Sequence, residues 1–226
     1  QLSSVAGLPY AGLAAYQALF TGAARSSKGE SLGDVKEGSK VLILGGDRGP
    51  GHLAVQLAHQ AGAEVVTTAA PSKTEFLSSL GADRVVDWRD RPWTGQLRGQ
   101  DFDLVLDCVG WMASPEEMGR AVKVMKHGGQ FISIPDFEPF EPEGVIKDRY
   151  FKALVPKVDA GDLKLLVHKL TEGVLKVCVD KIYLFEELPH ALTHSASGKT
   201  NGKVIISMEH HQGSRKGSRS GSEGGA

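Results

Sequence analysis

A short apolar run that turns at once into a glycine-rich loop, and then into an alanine-rich helical stretch, constrains this chain more than any other feature. The run is Val41-Leu42-Ile43-Leu44, the loop is Gly45-Gly46-Asp47-Arg48-Gly49-Pro50-Gly51, and the helical stretch follows from His52. A parallel strand that turns sharply into a helix leaves the first helical N–H groups unpaired and aimed at the loop, where they and the helix dipole favour a phosphate. Glycines let a pyrophosphate come close to the backbone. A strict G-x-G-x-x-G would need glycine at 46, 48 and 51, and position 48 is arginine. The loop alone therefore leaves two readings open, a dinucleotide site or an ordinary glycine-rich turn.

Downstream, β-rich runs alternate with helical stretches. Strand 41–44 leads to a helix near 52–60, strand 64–68 to a helix near 73–80, and strands follow at 84–86 and 103–107. A helix around 115–125, a strand over 131–134 and an apolar run near 151–155 continue the series. The strands read as continuous apolar runs, as they must when helices cover both faces of a parallel sheet. The expected fold is α/β, a doubly wound parallel sheet of the Rossmann type. Four parts follow: an N-terminal helix and loop over 1–33, a dinucleotide-binding domain over 34–161, a further segment over 162–208, and a tail over 209–226. The third part reads as a helix at 162–171, a strand at 179–185, a helix at 186–195 and a strand at 204–207. The tail is almost all Gly, Ser, Arg, Lys, Glu and His, a composition that predicts disorder.

With 226 residues, 41% of them hydrophobic, the chain can bury a sizeable core. A formal net charge of −1, with both signs mixed along the sequence, gives no field that would recruit nucleic acid or an acidic membrane. No apolar run approaches the roughly 18 residues of a membrane span. Cys108 and Cys178 each sit in apolar sequence, which predicts reduced thiols and a reducing intracellular compartment, cytoplasmic by default. The chain opens on Gln1 and runs straight into helix-like sequence, so it reads as a fragment or a processed product.

The end of the second strand discriminates between cofactors, because an Asp or Glu about 20 residues beyond the loop takes the ribose 2′-hydroxyl of NAD. Here that stretch is Thr67-Thr68-Ala69-Ala70-Pro71-Ser72-Lys73, without a carboxylate. Ser72 and Lys73 supply a hydroxyl and a positive charge suited to a 2′-phosphate, so the expected cofactor is NADPH.

Five segments together resemble the medium-chain dehydrogenase/reductase superfamily, in its zinc-independent quinone oxidoreductase branch. They are Leu8-Pro9-Tyr10-Ala11-Gly12-Leu13-Ala14-Ala15-Tyr16-Gln17-Ala18-Leu19, Gly49-Pro50-Gly51-His52-Leu53-Ala54-Val55-Gln56-Leu57-Ala58, Ser79-Leu80-Gly81-Ala82-Asp83-Arg84-Val85-Val86-Asp87-Trp88, Phe102-Asp103-Leu104-Val105-Leu106-Asp107-Cys108-Val109-Gly110 and Gly202-Lys203-Val204-Ile205-Ile206. The resemblance spans about residues 4 to 207. It implies a Rossmann domain which, in complete relatives, is paired with an N-terminal chaperonin-10-like catalytic domain across a cleft. Segments flanking the sheet would pack on that domain, which is expected to be absent here. It also implies an NADPH-dependent reduction of a small quinone or enone, and a homodimer joined at sheet edges.

Carried over residue by residue, the resemblance places the phosphate loop on Asp47, Arg48, Gly49 and Pro50, and the adenosine-phosphate pocket on Ala70, Lys73 and Trp88. Val109, Gly110, Ile134 and Pro135 would lie at carboxyl ends of strands, near the nicotinamide. Relatives usually have glycine at 48 and often serine at 70. Arg48 either swings outward to pair with phosphate or fills the site. Tyr10 stands where zinc-using relatives carry a cysteine ligand, and His190 and His194, four apart on a helix, lack a third ligand nearby, so no metal is expected. No residue is assigned as catalytic. The alternative is a non-catalytic module that keeps the fold and works through nucleotide or protein contacts.

Overall fold

The computed structural model describes residues 2–21, 33–89, 93–110, 119–134, 144–146 and 148–208. Two short helices, α1 (Leu2–Gly7) and α2 (Pro9–Tyr16), open the chain, and a π-helical turn at Gln17–Thr21 extends the second. The alternation then runs β1 (Lys40–Leu44), α3 (Gly49–Gln60), β2 (Glu64–Ala69), α4 (Thr74–Ser79), β3 (Arg84–Asp87), α5 (Trp93–Gln96), β4 (Phe102–Asp107) and β5 (Met125–Ser133). After these come β6 (Gly144–Ile146), β7 (Arg149–Ala153), α6 (Ala160–Thr171), β8 (Val179–Leu184), α7 (Leu188–Ala196) and β9 (Lys203–Ser207).

The main sheet has the order β3-β2-β1-β4-β5-β7-β6. Strands β3, β2, β1, β4, β5 and β7 are parallel neighbours, and β6 is added antiparallel at the edge. Burial explains the order of the side chains in β1. Val41 and Ile43 enter one apolar core with Leu53, Leu57 and Ala14, whereas Leu42 and Leu44 enter a second with Trp93, Phe102 and Phe131. Both faces are dry, so the strand is apolar throughout. Strand order reverses between β1 and β4, and that reversal is where a doubly wound sheet opens a crevice for ligands.

Most boundaries shift by only one or two residues, and one moves much further. Met125, expected to end a helix, begins β5, so this strand starts ahead of the expected 131. Phe102 pairs with Met125 and Leu104 with Gln130, a register shift that leaves room for the turn-like Lys126-His127-Gly128-Gly129 inside the strand. Of the expected helix, residues 111–118 lie outside the described set and 119–121 are helical. Pro135 and the tail 209–226 also lie outside it.

The C-terminal elements are stitched to α3 through polar side chains. The buried Gln56 amide donates to the Lys176 carbonyl at 2.9 Å and accepts the Lys176 N–H at 2.8 Å, so the side chain pairs with backbone as a neighbouring strand would. Gln17 makes the same reciprocal pair with Lys157, at 2.9 Å in each direction. Beyond these seams β8 and β9 form a separate two-stranded parallel sheet.

Helix α6 carries its own start signal. The Asp159 carboxylate accepts the Asp162 N–H at 2.8 Å, satisfying one of the donors left over at a helix N-terminus. Asp159→Ala should therefore cost about 1 kcal/mol, read as a lower urea midpoint at unchanged slope.

Candidate functional site

The glycine loop lies where the strand order reverses, and close contacts forbid a side chain at three of its positions, 45, 46 and 51. Gly45 has φ +77°, a conformation L side chains avoid, and a Cβ there would stand 2.5 Å from Val109 Cγ2 at the end of β4. A Cβ on Gly46 would strike Thr67 Oγ1, and one on Gly51 would strike the carbonyl oxygen of Gly45. The two threonines closing β2 fix the loop from below. Thr67 Oγ1 donates to the Ile43 carbonyl at 2.7 Å, and the Gly45 N–H donates to Thr68 Oγ1 at 3.1 Å.

Helix α3 begins with Gly49 and Pro50, a first turn that suits proline because the missing N–H there has no helical partner. No side chain caps this end, although Arg48 occupies the N-cap position. The first N–H groups are therefore directed at the loop, as an anion site requires. Cations gather around them. Lys203, from β9, brings Nζ to 3.3 Å from the position a Gly49 Cβ would take. The Arg48 side chain passes over Gly45, its Cγ 3.0 Å from the hypothetical Cβ of that glycine, and reaches Gly198, where Nη2 is 3.6 Å from the corresponding point. Asp47 is buried, which raises its carboxyl above the usual range, while the positive charges of Arg48 and Lys73 draw it back.

Two further carboxylates organise the surroundings. Asp107, fully buried at the end of β4, accepts the Val109 N–H at 2.9 Å, the Gly110 N–H at 3.1 Å and Ser133 Oγ at 3.0 Å. It thereby ties the turn after β4 to the end of β5. Asp180 meets His194 Nε2 at 2.6 Å and accepts the Asn201 N–H at 3.0 Å.

The residues expected from sequence fall into three groups. Asp47, Arg48, Gly49 and Pro50 form the loop and helix start, and Val109 packs on Gly45 with Gly110 beside it. Lys73, in the 3₁₀ turn Pro71–Lys73, joins the same neighbourhood through the C-terminal strap: it donates to Asn201 and to the Lys199 carbonyl, and the Gly202 N–H of that strap donates to the Asp47 carbonyl at 2.9 Å. Trp88 stands apart, 37% exposed beyond the outer strand β3. Ile134 is buried in the core, its N–H donating to the Asp107 carbonyl, so it supports the site from beneath. Sequence reading missed Thr67, Thr68, Asp107, Asn201 and Lys203. A lone acid ending the apolar run Leu104-Val105-Leu106 was a usable signal for Asp107, whereas only the tertiary fold brings Lys203 to the loop.

His194, which shares α7 with His190, is engaged by Asp180. Among the described residues, no group of three or more His, Cys, Asp or Glu is placed to hold a metal ion. None of their helices is long and apolar enough to cross a membrane, and neither Cys108 nor Cys178 is in a disulfide. A cavity of about 160 Å³ bounded by Asp34, Lys36, Asp103 and Lys126 opens at the amino ends of the strands, opposite the end where such sheets bind ligands.

Comparison with known proteins supplies four findings. Residues 80–206 match the zinc-binding dehydrogenase family. The chain is 31% identical over 215 residues to the chloroplast envelope quinone oxidoreductase homolog of Arabidopsis thaliana, covering 90% of this chain and 61% of that protein. It is 32% identical over 173 residues to 2-methylene-furan-3-one reductase of Solanum lycopersicum, covering 75% and 40% respectively. Among solved structures, the quinone oxidoreductase from Coxiella burnetii superposes with a TM-score of 0.74 at 28% identity, over 89% of this chain and 59% of that one. The chain thus spans between 40% and 61% of the length of these relatives.

Proposed function

Because the chain belongs to the zinc-binding dehydrogenase family, in the quinone oxidoreductase-like part of the medium-chain dehydrogenase/reductase superfamily, we propose that it is an NADPH-dependent oxidoreductase acting on a small quinone or enone. The observation that carries this reading is the cradle at Gly45, Gly46 and Gly51. Each of these positions would place a Cβ against a neighbouring atom, and the adjoining helix end is uncapped and flanked by Arg48 and Lys203. The names of the relatives from Arabidopsis thaliana and Solanum lycopersicum support the substrate class.

On this reading the loop N–H groups, Arg48 and Lys203 hold the pyrophosphate, and Lys73 faces the adenosine 2′-phosphate with Trp88 on the same side. Val109 and Gly110 border the nicotinamide end, where Asp107 holds their backbone in place. When bound, the reduced cofactor supplies a hydride to the electron-poor carbon of the substrate. The chain's own residues position the partners and keep water out, and none is assigned as an acid or a base. Zinc plays no part in this scheme.

One observation favours a second reading, a non-catalytic nucleotide-binding or protein-interaction module. The Arg48 side chain crosses the loop toward Gly198, over the surface a pyrophosphate would use. Calorimetric titration of the 226-residue chain with NADPH and with NADH, repeated on Arg48→Gly, separates the two. Saturable binding that prefers NADPH is the expected result. Binding seen only after Arg48→Gly would mean that the arginine closes the site, and silence in both proteins would leave the second reading ahead.

A further inference from the structure

Lys73 is the residue on which NADPH preference rests in the proposed function, and the structure does not leave it as a loose surface lysine. Its ammonium donates to Asn201 Oδ1 at 2.5 Å and to the Lys199 carbonyl at 2.8 Å. Both acceptors are neutral. An ammonium has three N–H groups, so two are committed to the strap and one remains for an anion, with the positive charge not neutralised by a bound carboxylate. Asp47 and Asp180 sense that charge through space and make no ion pair with it.

Asn201 is itself held in place from behind. Its N–H donates to Asp180 Oδ1 at 3.0 Å, and the other oxygen of Asp180 meets His194 Nε2 at 2.6 Å. Its neighbour Gly202 donates to the Asp47 carbonyl at 2.9 Å, which pins the strap to the phosphate loop. A positive φ of 82° at Gly202, and a would-be Cβ that meets the Cys178 backbone, fix the strap's path at that point. The chain His194–Asp180–Asn201–Lys73 therefore runs from α7 through β8 and the strap to the turn that follows β2.

We infer that Asn201 is a positioning residue for cofactor specificity: by holding the Lys73 ammonium, it prepares a fixed charge for the 2′-phosphate that distinguishes NADPH from NADH. This deepens the proposed function and rests on it. A free lysine loses the rotamer freedom of four torsions when it engages a ligand, whereas a lysine already held by two neutral acceptors has lost most of it beforehand. Neutral acceptors suit this role, since a carboxylate in their place would cancel the charge the phosphate needs.

The test is a binding cycle read by calorimetry, with NADPH and NADH as the two probes and wild type, Lys73→Ala, Asn201→Ala and the double variant as the proteins. Asn201→Ala should weaken NADPH about five- to tenfold and leave NADH unchanged. The double variant should bind NADPH no worse than Lys73→Ala, because the asparagine acts through the lysine. Equal losses for both cofactors would reduce Asn201 to a structural role, and tighter NADPH binding in Asn201→Ala would show that the strap competes with the phosphate; either overturns the inference. NADPH binding that Lys73→Ala leaves untouched also overturns it while the cofactor site stands, and silence of the wild type with both probes brings down the proposed function itself. Should the alanine variant unfold, Asn201→Ser, too short to reach the ammonium, repeats the comparison.

Discussion

Gly51→Ala should lower the stability of the chain by about 2–3 kcal/mol and abolish any dinucleotide binding with it. The helical position itself prefers alanine, which on propensity alone would favour the change by up to about 1 kcal/mol. Packing outweighs that gain. A Cβ on Gly51 is directed at the carbonyl oxygen of Gly45 and lies 3.0 Å from Gly46 Cα, and both are backbone atoms that cannot turn aside. Relief requires α3 to move off β1, yet both elements are locked into dry cores: Leu53, Ala54 and Val55 are fully buried, as are Val41, Leu42 and Ile43. Movement of α3 also displaces its uncapped N–H groups from the loop. Gly49→Ala, at the first residue of the same helix, is the matched comparison. The nearest neighbour of its Cβ is Lys203 Cδ at 3.2 Å, on a flexible side chain, so this change should stay within about 0.5 kcal/mol. Urea denaturation of the two variants decides the matter. Equal midpoints would mean that helix and strand are not as tightly crossed as described.

The same contrast explains what the sequence could reveal. The sheet was legible because a strand covered on both faces must be apolar without interruption, as Val41 to Leu44 and Leu104 to Leu106 are. The loop was legible because close backbone approach demands glycine at 45, 46 and 51. Where local chemistry and tertiary pairing disagree, the local signal does not report the structure. Gly128 and Gly129 look like a turn, but β4 and β7 pair with the surrounding residues and carry β5 through them. The short antiparallel β6 has no sequence signal of its own. Lys73 was noticed for its charge, but its partners, Lys199 and Asn201, lie far along the chain and depend on Gln56 and His52 to bring the C-terminal segment to α3. No window of sequence contains that information, because the contacts are made by the fold as a whole.

That seam makes the stability of the chain sensitive to acid, and His52 should account for most of the effect between pH 6.5 and about 4. The imidazole is fully buried near the start of α3. Its Nε2 lies 3.1 Å from the Cys178 N–H, which can only donate, so Nε2 is the acceptor; the proton then sits on Nδ1 and is donated to the Arg48 carbonyl at 3.1 Å. Only the neutral ring can make both bonds. Burial, aided by the charge of Lys203, lowers its pKa from 6.5 to about 4, against the opposing pull of the Arg48 and Gly49 backbone. The unfolded chain takes up this proton near pH 6.5 and the folded chain only near 4, so between these values the unfolded state binds more protons. The contribution is therefore fully present above pH 6.5 and is lost as pH falls toward 4. A difference of that width corresponds to about 3 kcal/mol. The lowered carboxylates Asp103 and Asp180 add their own losses at the acid end of the range, which makes the limb between pH 6.5 and 5 the one to read. Unfolding free energy measured there should fall steeply for the wild type and be nearly flat for His52→Gln, whatever the absolute stability of that variant. In parallel, the His52 ring signals should stay those of a neutral imidazole down to about pH 4 in the native protein. A slope that survives His52→Gln, together with a ring that titrates near 6.5, would show that the C-terminal segment does not depend on this histidine for its attachment to α3.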